Sequence, residues 1–378
     1  MTNNATGECI VLADDDPDVA AGLSLLMERP GRKIILCSSV EAAEISLTRN
    51  PVTHLLCDVQ FTGDFGFEGL HFLSRVREFA PQCRIVLMTG NVTDSLRATA
   101  LRLGAAQVLA KPFGGDELEQ ALGSPSEAPE GAPPCEIVSF PSLDEILAGD
   151  ELLVAFQPIV SVESSSVSLF GYEALTRARG SWMTDGPAML FEYAERLTRL
   201  TELNIAMLKR AMHSAGILPA GCSLFVNVDP LTFVQADLPA ILDAAAESSG
   251  FPLSRVVLEI TERSGFSDAA IARHAFEELR NRGIRFALDD HGSAYSHLSA
   301  IDAIQPSFIK ISNSFGTAFE ESETRARIVR HVASLARDFG CEAILEGVES
   351  EATARAVFAV GIKFAQGYYF GRPALAVL

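Results

Sequence analysis

Residues 256–290 read VVLEITERSGFSDAAIARHAFEELRNRGIRFALDD, and this stretch decides the fold. A short apolar run, 256–258, stops at Glu259. A segment of helical composition and periodicity, 269–281, follows it. A second apolar run, 286–288, then stops at Asp289 and Asp290. Strand, helix and strand in so short a span form one unit of a parallel βα fold. Each strand hands over to an acid at its carboxyl end.

The same rhythm extends in both directions. Upstream, Phe156 leads to Gln157 and Pro158, residues 169–172 to Glu173, and 224–226 to Asn227. Downstream, 307–309 lead to Lys310, 343–345 to Glu346 and 364–365 to Gln366. The stops at 227, 259, 289, 310, 346 and 366 are spaced for one strand plus one helix each. Eight such strands closing into a barrel place their polar ends on one face, the face on which βα barrels keep their chemistry.

The residue types at those ends narrow that chemistry. Glu173, Asn227, Glu259, Asp289 and Asp290 form an all-oxygen set without His or Cys. Such a set favours magnesium or manganese over zinc. Adjacent Asp289 and Asp290 are placed to ligate two ions, and a metal pair about 3.5–4 Å apart clamps a phosphodiester from both sides. Lys310 would neutralise charge developing on phosphorus. Glu346 or Glu349 would take a proton or hold the second metal. Singly, each has an ordinary alternative: a strand-end Glu is a solvated tip, Asn227 a turn former, Asp289–Asp290 a helix cap and Arg177 a surface charge. Their joint spacing is what argues for a site.

The N-terminal part has its own alternation. Apolar runs at 9–13, 33–37, 54–57, 84–88 and 107–110 are separated by helical stretches at 20–28, 41–49, 69–78 and 94–103. Five units of this kind predict a doubly wound, five-stranded parallel sheet. Asp14, Asp15 and Asp16, then Asp58, Thr89 and Lys111 stand at the strand ends. There, carboxylates hold a hard cation. Asp16 before Pro17 also reads as a helix cap. Between the two parts, residues 122–142 are rich in Pro, Ser, Gly, Ala and Glu and read as a linker.

Bulk properties set outer bounds. The chain has 378 residues, 48% of them hydrophobic, and a formal net charge of −19. That charge disfavours a nucleic-acid surface, which depends on neutralising phosphates. No apolar run of 18 residues or more is present, and the first residues lack a signal-peptide pattern. Seven scattered cysteines without a CxxC pair point to a reduced, cytoplasmic protein.

The motifs themselves carry two family resemblances. LADDD, LLCDV, VLMTG and VLAKPF occur in order over residues 8–121, which resemble a response-regulator receiver domain. The resemblance implies that Asp58 is the phosphoacceptor and that Asp14, Asp15 and Asp58 bind one magnesium or manganese ion. It further implies that Thr89 and Lys111 form the switch, that the Lys111–Pro112 bond is cis, and that a cognate histidine kinase is the partner. Two features depart from the pattern: the loop VQFTGDFGFEG after Asp58 is long, and Val108 replaces the usual aromatic.

FQPIV, EALTR, FVNVD, LEITE, ALDDHG, FIKIS, LEGVES and QGYYFGRP run in order through 143–378, which resemble an EAL domain. That family hydrolyses cyclic di-GMP to linear pGpG on a modified TIM barrel with one antiparallel strand. The resemblance implies two magnesium or manganese ions on Glu173, Asn227, Glu259, Asp289 and Asp290, with Lys310, Glu346 and Glu349 catalytic. It makes Arg177, Gln157 and Gln366 substrate contacts, and Glu262 the support of the loop after Asp290. A homodimer is expected from both families. The departures lie in that loop, DDHGSAYSHL, and at Ser312, which stands where the family has an aspartate expected to support Lys310. His291 reads as a loop residue outside the ligand set. The alternative reading is a weakly active or inactive barrel that serves as a cyclic di-GMP receptor or docking output. No diguanylate cyclase segment and no DNA-binding helix-turn-helix is recognised.

Overall fold

The computed structural model describes residues 8–61, 68–123, 134–149, 151–163, 166–179, 187–261, 269–291, 301 and 304–376. The chain forms two compact units. One comprises the residues up to Glu151 together with Arg179–Arg199, and the other comprises Leu152–Ala178 and Leu200–Leu378.

The first unit is a parallel sheet. Its strands are β1 (Glu8–Ala13), β2 (Arg32–Cys37), β3 (His54–Asp58), β4 (Arg84–Thr89), β5 (Gln107–Ala110) and β6 (Glu136–Phe140). They lie in the order β5-β4-β3-β1-β2-β6. The order reverses between β1 and β3, so the carboxyl ends carrying Asp14 and Asp58 flank the switch point, where open α/β sheets bind ligands. The helices are α1 (Pro17–Leu26), α2 (Val40–Arg49), α3 (Glu68–Phe79), α4 (Asp94–Arg102), α5 (Gly115–Leu122), α6 (Leu143–Ala148) and α7 (Pro187–Arg196). Asp16 does cap α1, accepting from the Asp18 and Val19 amides, with Pro17 in the first turn. Alternation along β1 splits the core: Ile10 and Leu12 pack with Leu23 of α1, Met27 just after it, and Leu118 of α5.

Two features of this unit lie beyond the sequence reading. The five expected strands form, and the stretch read as a linker supplies a sixth: β6 pairs in parallel with β2 from Lys33↔Glu136 to Cys37↔Phe140. The signal was an alternation too short to stand out beside the Pro-rich run, with Val138 and Phe140 buried while Ile137 is exposed. Residues 179–199, expected in the barrel, cluster with the sheet.

The second unit is a closed barrel. Its strands are β7 (Leu152–Glu163), β8 (Ser166–Ala178), β9 (Ser223–Val228), β10 (Val256–Thr261), β11 (Arg285–His291), β12 (Phe308–Ile311), β13 (Glu342–Leu345) and β14 (Phe364–Gln366). A short β15 (Ala374–Leu375) adds to β7. From β8 to β14 all neighbours are parallel, while β7 runs antiparallel to both β8 and β14 and closes the ring. This is the modified TIM barrel with one antiparallel strand.

The strands place the site by their period of two. Phe225, Val257, Ala287, Phe308 and Ile344 form one inward layer, with Phe364 packed against it. Two residues further along each strand stand Asn227, Glu259, Asp289, Lys310, Glu346 and Gln366. The apolar layer is thus the floor of the polar one. On β8 the residue two before Glu173 is Gly171, where a Cβ would overlap the Ser223 backbone. Nearby, the β7–β8 register slips between Ile159 and Val160, and Phe170 packs its ring on Phe364 at 4.3 Å.

Candidate active site

Each of the eight barrel strands delivers one polar side chain to the same face. Gln157 on β7 and Glu173 on β8 sit directly opposite each other, in the interior of strands rather than at their ends. The hairpin continues beyond them because both strands keep pairing as far as Leu152↔Ala178. Asn227 and Glu259 are likewise paired across β9 and β10.

Lys310 organises the group. It is 1% exposed, and its Nζ lies 2.9 Å from Glu346, 3.0 Å from Glu259 and 3.4 Å from both Glu173 and Asp289. Burial is the strongest influence on this ammonium and acts to lower its pKa, yet the four carboxylates outweigh it and hold the pKa well above the usual lysine range. The acids respond differently to one cation. Burial raises Glu259 well above the carboxylate range, with the charge of Glu173 adding to it. Burial likewise lifts Glu346 to about 7 against the pull of Lys310. Glu173 is also pushed up by burial, but Lys310 and the amides of Gln366 and Asn227 reverse the sign, and its pKa is lowered.

The two glutamines have a definite place. Gln366 Nε2 donates to Glu173 Oε2 at 2.6 Å and to Gln157 Oε1 at 3.1 Å, and Asn227 Nδ2 donates to Glu173 Oε1 at 3.2 Å. Gln157 and Gln366, expected as substrate contacts, therefore orient a metal-ligand candidate. Sequence reading missed that role, because residues 157, 173 and 366 meet only when the barrel closes.

The remaining expectations divide. Arg177 is half-buried at the far end of β8 and donates to the Thr176 carbonyl at 2.8 Å. Glu349 is exposed and is not one of the acids around Lys310. Ser312 caps the short helix Asn313–Gly316, and the support of Lys310 comes from four carboxylates instead of position 312. Asp290 lies in β11. Its side chain, Glu262 and the loop through 292–298 lie outside the described residues.

The donor set fits hard cations. Both side-chain oxygens of Glu259, together with Asp289 Oδ1 and Gln366 Oε1, are buried without a hydrogen-bond partner among the described residues. Lys310 Nζ lies 3.0 Å from Glu259 Oε1 and 3.4 Å from Asp289 Oδ1, close enough for charge attraction to both. Buried oxygens with unused lone pairs, no sulfur and no imidazole suit magnesium or manganese.

The first unit has a second acidic group. Ligand oxygens of Asp14, Asp15 and Asp58 lie within 4.8 Å of one another. Lys111 Nζ donates to Asp58 Oδ2 at 2.6 Å and to Asp14 Oδ2 at 2.7 Å. Burial raises the Asp14 pKa in spite of Lys111. Thr89 is buried at the end of β4, and the Lys111–Pro112 bond is cis. Val108 is 3% exposed and packed within the fold.

Fold and site together define a class: a receiver-type sheet joined to a βα barrel whose carboxyl face carries an oxygen-donor ring around a lysine. Residues 142–373 match the EAL domain model and residues 10–123 the response regulator receiver domain model. The chain belongs to the EAL domain family, with a receiver domain fused ahead of it. It is 26% identical to the cyclic di-GMP phosphodiesterase RocR of Pseudomonas aeruginosa, over 96% of this chain and 95% of RocR. It is 33% identical to the protein y4lL of Sinorhizobium fredii over 61% of this chain, and it spans only 28% of that relative. The solved PaMucR phosphodiesterase, a c-di-GMP complex, superposes with a TM-score of 0.53 at 26% identity, over 60% of this chain and 98% of that one. Among the described residues no helix is long and apolar enough to cross a membrane.

Proposed function

We propose that the chain is a response regulator that hydrolyses cyclic di-GMP to linear pGpG with two magnesium or manganese ions, under control of phosphorylation at Asp58 by a histidine kinase. The observation that carries the reading is the ring of carboxylates around Lys310, of which both Glu259 oxygens and one of Asp289 are buried and accept no hydrogen bond among the described residues. Glu173, Asn227, Glu259 and Asp289 would hold the ions, joined by Asp290. When bound, they make water nucleophilic at neutral pH and draw charge from the phosphodiester.

The chain's own groups do the rest. Lys310 is fixed by its acids where negative charge develops. Glu346, poised at about 7, is suited to accept a proton near neutrality. Gln366 and Asn227 hold Glu173 in one orientation. Arg177, two residues past Leu175 on the face that carries Glu173, is suited to a substrate phosphate. Asp14, Asp15 and Asp58 would hold one further ion beside the phosphoacceptor. A cytoplasmic homodimer completes the proposal, and sedimentation tests the assembly.

The test pairs hydrolysis with binding. Purified full-length chain with manganese should convert cyclic di-GMP to pGpG, and Glu173→Ala should lower the rate at least about a hundredfold. Retained turnover in that variant would remove the two-metal assignment. Binding without turnover in the unsubstituted chain would make the barrel a receptor.

A further inference from the structure

The segment Arg179–Arg199 begins two residues after Arg177, yet it is built into the receiver unit. Both its ends are tied there: the Arg179 amide donates to the Glu151 carbonyl at 2.8 Å, and Arg199 pairs with Asp144 of α6 at 2.7 Å. Its helix α7 is seated by one aromatic residue. Tyr193 is 1% exposed, meets Phe140 of β6 edge-on at 5.1 Å, and brings its hydroxyl to 3.5 Å from Ser39, the cap of α2.

A chain of ion pairs runs beside that seat. Arg49 of α2 pairs with Glu192 at 2.8 Å, and Glu192 pairs with Arg196 at 2.8 Å. Arg196 then reaches Glu44 Oε1 on α2 at 2.5 Å. The same oxygen receives Arg75 of α3 at 2.7 Å. Glu44 is buried, so its charge is divided between two guanidiniums on two different helices. An isolated surface pair is worth little, whereas a buried carboxylate shared in this way is lost only at a large cost.

The other end of α3 touches the phosphoacceptor. The Gly69 amide donates to the Val59 carbonyl at 3.2 Å, and a Cβ on Gly69 would overlap the Asp58 carbonyl oxygen. The start of α3 is therefore pressed against the Asp58 backbone, and a change there displaces the helix that carries Arg75.

We propose that the α2–α3 face is the output surface of this receiver, and that its built-in partner is the segment Arg179–Arg199. Modification at Asp58 shifts α3, alters how Arg75 and Arg196 share Glu44, and changes the hold on α7. The strand carrying Glu173 and Arg177 ends at Ala178, next in sequence to this segment. The route uses no aromatic at Val108. The proposal rests on the response-regulator reading but not on hydrolysis.

Amide hydrogen exchange on the full-length chain, with and without beryllofluoride as the phosphoryl mimic, tests it. Exchange across Pro187–Arg196 should change about threefold or more on addition of beryllofluoride. It should not change in Asp58→Asn, nor in Arg75→Gln, which leaves α7 in place but removes the shared partner. Arg49→Gln/Arg196→Gln should raise basal exchange of α7 and abolish the response, while Arg196→Lys restores it only in part, since lysine lacks the planar fork. An unchanged α7 would overturn the proposal, as would a full response in Arg75→Gln. A responding α7 in a chain that hydrolyses nothing would remove the phosphodiesterase reading and leave this one standing.

Discussion

Gln366 shows how a neutral side chain governs a charged site. Its amide nitrogen holds Glu173 and Gln157 together, and its own oxygen is buried without a hydrogen-bond partner among the described residues. Gln366→Leu keeps the volume and removes both donated hydrogen bonds. Manganese affinity, measured by calorimetric titration, should fall about 10–100-fold while the fold is kept. Unchanged affinity would make Gln366 a packing residue. The acids and Lys310 were legible in sequence because each follows an apolar run at barrel spacing. The network that orients them was not, because it joins β7, β8 and β14 across the barrel closure, and local spacing carries no trace of that contact.

Among the elements, β6 and α7 are the instructive pair. β6 lies at the edge of a Pro-rich stretch, and α7 lies inside the family segment of the barrel, yet both belong to the receiver unit. Propensity and motif order assign residues to neighbours in the chain, whereas Phe140 and Tyr193 are assigned by what they bury against. Phe140→Ala should destabilise the first unit by about 3 kcal/mol, read by urea denaturation. A loss well below about 1 kcal/mol would mean that β6 is not part of that unit's core. The cap at Asp16 was legible because its signal is local, and Ser39 and Thr93 cap two further helices in the same way.

His54 adds a pH dependence at the foot of β3. Its ring bridges the Thr53 hydroxyl at 2.8 Å and the Leu122 carbonyl at 2.9 Å, the latter at the end of α5. Burial lowers its pKa from 6.5, with Arg32 and Arg84 adding to the effect. The unfolded chain then binds the proton more readily than the folded one. Its contribution to stability is complete above pH 6.5 and is lost as pH drops below that value. His54→Gln should flatten the fall below pH 6.5, followed by thermal unfolding across pH. An identical slope in the variant would assign the dependence to other groups.

At the scale of the whole molecule, charge and chemistry pull in opposite directions. A chain of net charge −19 repels an anionic substrate, so its acidic ring becomes a binding site only with cations in it. The reading therefore stands on one assay: full-length chain, manganese and cyclic di-GMP, with products separated by chromatography. The account predicts linear pGpG as the product, formation that stops on chelation, and near-complete loss of it in Glu173→Ala. Intact cyclic di-GMP after prolonged incubation of the folded, manganese-loaded chain would contradict it.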